Sequence, residues 1–497
     1  MATLSDRRHQ HRQLHFILIP LMCPGHLIPM VDMGRLLAQH GATVTLITTR
    51  LNAVRFEKII DRDNQSGLPI WLLKLRFPCT EAGLPEGCEN VDSLPSPNLA
   101  KNFFDAARML QQPIEEFLEE TNPGPSCIIS DRYLPWTIYI SHKFGVPRLA
   151  SDGTSCFAFI CSHNIQSSRI HEKVSDSEFF VVPGLPDRIE ITKAQLPAVI
   201  NQASTTLKDR SEEMKAADEA SYGLVFNSFQ ELEERYVEDC QKVKGGKIWC
   251  VGPVSLCNKE NIDKGQRGNK TSIDETQCLK WLNSWPSESV VYACLGTLSR
   301  ISSLQLMELG LGLEASKRPF IWVIREGAHS NELEKLLYEE GFERRTKNVG
   351  LIIRGWAPQV LILSHPAIGG FLTHCGWNSI LEGVSAGLPI ITWPILAEQF
   401  LNEQFLLQVL RIGEKVGASI NINMGEEEKF GVMVKREEIR KAIEIVMDKD
   451  EGKEKRKKAR ELGRTAKKAV EEGGSSHWNI KLLIEDILEE SRRRLGM

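Results

Sequence analysis

Two hydrophobic patterns alternate along the chain. Short continuous apolar runs read as buried strands: HFILIPL (His15 to Leu21), CIIS ending at Asp131, IWCVGPV (Ile248 to Val254), the start of SVVYACLGTLSR, and FIWVIR. Segments with helical spacing lie between them. After the first run comes a tight loop, MCPG, and then HLIPMVDMGRLLAQHG, which predicts a helix stopped at Gly41. His26 is therefore expected at a strand-to-helix turn, and Asp131 at the carboxyl end of another strand. Later, the apolar run Ala367 to Thr373 ends in His374. Asn378 and Ser379 then read as a helix start ahead of SILEGVSA, Gly387 to Pro389 closes that helix, and IITW is the next strand. The alternation predicts an α/β protein with two Rossmann-like, doubly wound domains facing across a cleft.

The second alternation is set off from the first by a polar stretch, Asn258 to Gln277, the best linker candidate in the chain. The expected division is residues 1–256, a linker over 257–277, a second domain over 278–474, and a last helix over 475–497 beyond the Gly473-Gly474 break. A length of 497 residues supports two domains rather than one core. A net charge of −4 gives no global attraction to nucleic acid, and 42% apolar residues is ordinary for a globular protein. Lys453 to Arg460 is rich in positive charge, but acidic residues alternate with the basic ones at helical spacing, so it reads as a solvated helix face. No apolar run approaches the ~20 residues of a membrane span. The polar first fourteen residues do not read as a signal peptide, so a cytoplasmic protein is expected. The 12 cysteines, scattered from Cys23 to Cys375 without a C-x-x-C pair, suggest reduced buried thiols and no metal site. The sequons at Asn64 and Asn269 carry no meaning without a secretory route.

In open α/β sheets ligands bind beyond the carboxyl ends of the strands, and a helix start offers free N–H groups to phosphate. His374, Asn378 and Ser379 stand where a diphosphate would be held. Two rival chemistries fail on local order. Gly383-Val-Ser385-Ala-Gly387 matches the nucleophile elbow G-x-S-x-G, which needs a strand before the serine and a helix after it, and here the helix comes first. The first strand leads to a loop with one glycine and not to G-x-G-x-x-G, which argues against a dinucleotide reductase. A non-catalytic small-molecule binder would have no need for His26 and Asp131.

The stretch from Trp356 to Gln399, WAPQVLILSHPAIGGFLTHCGWNSILEGVSAGLPIITWPILAEQ, closely resembles the signature box of plant secondary-product glycosyltransferases. These family 1 enzymes move a sugar from a UDP-sugar to a small lipophilic acceptor, and the match is unbroken through the box. The resemblance implies that Trp356 stacks on uracil and the Ala357 backbone reads its edge. It places Gln359 and Glu382 on the ribose hydroxyls, Thr297 on phosphate, and Trp377, Glu398 and Gln399 at the sugar, with Thr154 a further contact. It also implies that His26, in PGHLIP, takes the proton from the acceptor hydroxyl while Asp131 holds its imidazole. That choice is chemically apt, because imidazole titrates at about 6.5 and a helix start favours its neutral form. A carboxylate on the other ring nitrogen fixes the tautomer.

The family's last helix crosses back onto the amino-terminal domain, and its enzymes need no metal or other cofactor beyond the UDP-sugar. The chain departs from the family at Pro24, where Gln is usual, and at Asp152, where His is frequent; both bear on acceptor pose. FPCTEAGLPEGCENVD and FEKIIDR resemble the branch that glucosylates triterpenoid sapogenins, steroids, flavonoids and cytokinins. The expectation is an inverting, metal-independent, monomeric O-glucosyltransferase using UDP-glucose. Its first-choice acceptor is a triterpenoid and its second a flavonoid, with UDP-galactose and UDP-glucuronic acid as rival donors.

Overall fold

A computed structural model of the protein describes residues 14–201, 205–298, 301–325, 331–421, 429–448, 450–494 and 496. The polar amino-terminal segment, read above as no signal peptide, lies outside them up to residue 13. In chain order the strands are β1 (His15–Ile19), β2 (Thr43–Thr49), β3 (Ile70–Leu75), β4 (Cys127–Asp131), β5 (Arg148–Asp152), β6 (Phe179–Val181), β7 (Glu190–Thr192), β8 (Gly223–Phe226) and β9 (Ile248–Cys250). They continue with β10 (Val290–Cys294), β11 (Phe320–Ile324), β12 (Gly350–Arg354), β13 (Ile368–Thr373), β14 (Ile390–Thr392) and β15 (Gly413–Lys415).

One sheet has the order β3-β2-β1-β4-β5-β8-β9, another β12-β11-β10-β13-β14-β15, and β6 and β7 form a separate antiparallel hairpin. Pairing is parallel throughout the second sheet and from β3 to β5 in the first. Both sheets grow outward from their first strand in one direction and then resume on its other side. The reversal falls between β1 and β4 in the first sheet and between β10 and β13 in the second, and such points are where open α/β sheets bind ligands.

The described residues divide into two compact units. The first comprises the described parts of Met1–Ser151, Met214–Val225 and Trp478–Met497, and the second those of Asp152–Glu213 and Phe226–His477. In the first unit β1 and β4 are buried along their whole length, which is why they read as unbroken apolar runs. The helix after β1 spans Pro24–Gln39 and so begins two residues before His26. Proline suits a first helical position because its missing N–H is an orphan there anyway. The final helix, Ser475–Arg494, contributes its Trp478-onward part to this unit. There Tyr222 donates to Asp486 at 2.7 Å, and Arg494 donates to the Ser126 carbonyl at 3.2 Å.

In the second unit Val291, Trp322 and Leu372 from the sheet pack with Leu313 and Ile439 from the helices Ser303–Ala315 and Arg436–Met447. Gly312 allows these helices their close approach, since a Cβ there would stand 2.8 Å from Ile439. The segment from Asn258, read above as linker, contains the short helix Asn261–Gly265, packed beside the helix Gln359–Leu363.

Candidate active site

In the first unit the reversal point of the sheet carries a His-Asp pair. His26 lies in the first turn of the helix following β1, and Asp131 is the last residue of β4. The His26 Nδ1 and Asp131 Oδ2 are 2.8 Å apart, with Asp131 buried and the histidine 21% exposed. An ionised carboxylate only accepts, so Nδ1 carries the proton and Nε2 is left as the basic nitrogen. Asp131 is itself fixed: its Oδ1 accepts from the Tyr133 backbone N–H at 2.9 Å, and the Tyr133 ring meets His26 edge-on at 5.6 Å. Beneath it Arg148, fully buried, donates to the Asp131 carbonyl at 3.3 Å, to Ser130 at 2.7 Å and to Ser221 at 2.5 Å. Desolvation lowers the Arg148 pKa to about 10, which leaves it charged at neutral pH.

In the second unit the corresponding reversal point lies between β10 and β13. Thr297 follows β10 and His374 follows β13. The helix behind His374 is Trp377–Ala386, capped by Gly376, so it starts one residue before Asn378. Desolvation brings the His374 pKa down to about 4, so the ring is neutral at physiological pH and meets an anion as a hydrogen-bonding group. The ring keeps partial surface exposure although protein crowds it on most sides. Gly296 and Gly376 make room for it, since a Cβ at either would come within 2.5 Å of the imidazole. Gly296 also has φ +79, a conformation that favours glycine. Between them Cys375 takes φ +64, a costly left-handed geometry at the turn that delivers His374 and the helix start.

Gln359, Ser379 and Glu382 form one hydrogen-bonded group. The Gln359 Nε2 donates to Glu382 Oε2 at 2.8 Å and to Ser379 Oγ at 3.2 Å, while Tyr292 donates to its Oε1 at 3.3 Å. Ala357 is buried, and its carbonyl accepts from the Gln359 N–H at 2.8 Å. Trp356 is anchored through its backbone: its N–H donates to Ser272 Oγ at 2.9 Å and its carbonyl accepts from Ser272 N–H at 2.8 Å. Asn378 Oδ1 accepts from Asn227 Nδ2 at 3.0 Å. Trp377 is buried, with its indole N–H on the Asn227 carbonyl at 2.8 Å and its ring tilted against Phe405. Gln399 caps its own loop, its Oε1 accepting from the N–H groups of Ile395 at 2.9 Å and Leu396 at 3.0 Å. Its amide NH₂ is therefore the end left to meet a ligand acceptor. Glu398 accepts from Asn402 at 3.4 Å. Thr154 donates its backbone N–H to Asp152 at 3.3 Å, and its hydroxyl is buried.

Ser385, the serine of the elbow-like motif, is buried one residue from the end of the helix Trp377–Ala386. The strand-turn-helix geometry of a hydrolase nucleophile is absent at that serine. Among the described residues no group of three or more His, Cys, Asp or Glu side chains is arranged to hold a metal ion, and no helix is long and apolar enough to cross a membrane. Sequence reasoning did not single out Arg148, Gly296, Gly376, Cys375 or Arg267. The last forms an ion pair with Glu382 in which both side chains are buried. Two of the five had a visible signal: a glycine two or three residues after each of the two strand ends.

Comparison with known proteins identifies the family. The family model described as UDP-glucoronosyl and UDP-glucosyl transferase matches residues 262–462. UDP-glycosyltransferase 73C4 of Arabidopsis thaliana is 50% identical over 494 residues, 99% of each chain. The solved structure of Glycyrrhiza uralensis UGT73P12, complexed with glycyrrhetinic acid 3-O-monoglucuronide, matches with a TM-score of 0.90 at 38% identity over 97% of each chain. Medicago truncatula UGT71G1, solved with UDP-glucose, gives 0.76 at 25% identity over 98% of this chain and 100% of that one. The fold and the full-length identity define the class, a glycosyltransferase of the GT-B type with two parallel-sheet α/β domains. This chain belongs to the plant UDP-glycosyltransferase family and is similar to its group 73 members.

Proposed function

We propose that the enzyme transfers glucose from UDP-glucose, with inversion and without a metal, to a hydroxyl of a lipophilic plant metabolite, first of all a triterpenoid sapogenin. The observation that carries the chemistry is the 2.8 Å hydrogen bond between His26 Nδ1 and Asp131, which leaves Nε2 as a base. Nε2 takes the acceptor proton as the oxygen attacks the anomeric carbon from the face opposite UDP. The bond from that carbon to the diphosphate oxygen breaks, and its electron pair leaves with UDP. Asp131 stabilises the imidazolium that forms. Neutral His374, Asn378, Ser379, Thr297 and the start of the helix Trp377–Ala386 supply the donors that meet the departing charge.

Glucose is favoured as donor by Gln399, whose oxygen is taken up by backbone N–H groups and whose NH₂ can donate to a hydroxyl of fixed direction. The triterpenoid choice is supported by the sequence branch and by the glycosylated triterpenoid named with UGT73P12. The enzyme is taken to act as a cytoplasmic monomer. Mass-spectrometric detection of hexosylated products from a panel of sapogenins, flavonoids, steroids and cytokinins tests the reading. A product from the triterpenoid arm with UDP-glucose supports it, and turnover confined to another class moves the acceptor.

A further inference from the structure

The buried pair of Arg267 and Glu382 is unexplained by the transfer chemistry. Arg267 lies in the polar stretch that precedes β10, 115 positions from Glu382, yet the side chains are only 9% and 5% exposed. The Arg267 Nη1 meets Glu382 Oε1, and Gln359 Nε2 meets the other oxygen at 2.8 Å. The stretch is held where this requires. Its helix Asn261–Gly265 packs on the helix that begins at Gln359. Ser272 exchanges two hydrogen bonds with the Trp356 backbone. The polar stretch thus grips the box at Trp356 and Glu382, the residues read as taking the base and the ribose.

We infer that Arg267 is a positioning residue for the nucleoside: it offsets the charge of the Glu382 carboxylate and holds that carboxylate aimed at the ribose diol. A buried carboxylate without a counter-charge is costly and would turn toward water or take up a proton. A carboxylate offers about four lone-pair sites. Arg267 and Gln359 occupy one on each oxygen, which leaves one on each for the two neighbouring hydroxyls of ribose. The geometry requires a fixed carboxylate, and a planar guanidinium fixes it better than a flexible ammonium would.

The inference rests on Glu382 being the ribose ligand, and the test separates the two. Calorimetry measures Kd for UDP and for 2′-deoxy-UDP with wild type, Glu382→Ala, Arg267→Met and Arg267→Lys. Wild type is expected to prefer UDP by roughly tenfold or more, the scale of a lost hydrogen bond that leaves a buried partner unpaired. Glu382→Ala is expected to lose that preference. Arg267→Met is expected to bind UDP about tenfold more weakly and to show a ratio reduced toward that of Glu382→Ala, with Arg267→Lys between it and wild type. In turnover the Met variant raises KM for UDP-glucose more than it lowers kcat. An Arg267→Met enzyme that is weaker toward both ligands but keeps the wild-type ratio overturns the inference, because Arg267 would then be a general structural strut. If Arg267→Met does not fold, Arg267→Gln carries the same comparison. Wild type without any preference overturns the ribose assignment of Glu382, and the inference with it.

Discussion

His26 and Asp131 are 105 positions apart in the chain, yet their side chains share a 2.8 Å hydrogen bond at the point where the first sheet reverses its order. The carboxylate is further fixed by the Tyr133 N–H, and the strand end that carries it by Arg148. Replacing Asp131 with Asn keeps the shape but allows the amide to donate where the carboxylate accepted, which favours the wrong imidazole tautomer. Asp131→Asn is expected to lower kcat by about 100-fold or more, without exceeding the loss in His26→Ala. UDP affinity, measured by calorimetry, is expected to stay within a few-fold of wild type. Unchanged kcat would show that Asp131 only fills space.

The proposed diphosphate site leads to a second prediction. With its pKa lowered to about 4, His374 has no titration between pH 6 and 8 in the free enzyme. KM for UDP-glucose is expected to be flat over that range, and activity to survive excess EDTA. His374→Ala is expected to raise KM and slow turnover. A fall in KM on acidification through pH 6.5 would show that an imidazolium binds the donor, and a loss of activity in EDTA restored by Mg²⁺ would show that a divalent ion does.

The proposed preference for glucose makes Gln399 the residue to test. Glucose and galactose differ in the direction of one hydroxyl, and the Gln399 amide has only its NH₂ to offer. A mismatched hydrogen bond in a buried site costs on the order of 1 kcal/mol or more, so kcat/KM for UDP-glucose is expected to exceed that for UDP-galactose by about tenfold. Competition at equal donor concentrations checks this, with UDP-glucuronic acid as a third donor. Gln399→His is expected to narrow the gap, and a win for either rival sugar in wild type would remove Gln399 as the selector.

Glu233 makes stability depend on pH. It is fully buried and accepts from Ser228, from the Phe157 N–H at 2.8 Å and from the Cys156 N–H at 3.3 Å, yet desolvation outweighs these bonds and raises its pKa to about 7. The folded form holds a proton that the unfolded chain releases above about 4.5. This contribution is complete below that pH and is lost as pH rises through 7, an effect on the order of 3 kcal/mol. Glu233→Gln is expected to flatten the change in unfolding free energy between pH 5 and 8. A slope identical to wild type would show that Glu233 is already ionised.

The strand-helix alternation was legible because parallel strands buried on both faces, such as β1 and β4, leave unbroken apolar runs. Helix starts were legible to within one or two residues. Pro24 opens the first helix before His26, and Gly376, without a capping side chain, opens another before Asn378, so neither start showed the usual polar cap. What composition could not show was how the polar stretch before β10 folds. Its charged and small residues look like a solvated tether, but Ser272 and Arg267 make their bonds to Trp356 and Glu382, partners more than 80 positions away. Cys375 was likewise illegible, because a non-glycine residue at φ +64 has no signature of its own.

The proposed role of His26 as the base of a UDP-glucose-dependent transfer is decided by one comparison. Wild type and His26→Ala are assayed in one preparation, with glucosylation of the best acceptor followed by mass spectrometry and UDP binding by calorimetry. A rate loss of about 100- to 10,000-fold is expected in the variant, with UDP affinity within a few-fold of wild type. Retention of half the wild-type rate by His26→Ala would rule His26 out as the base.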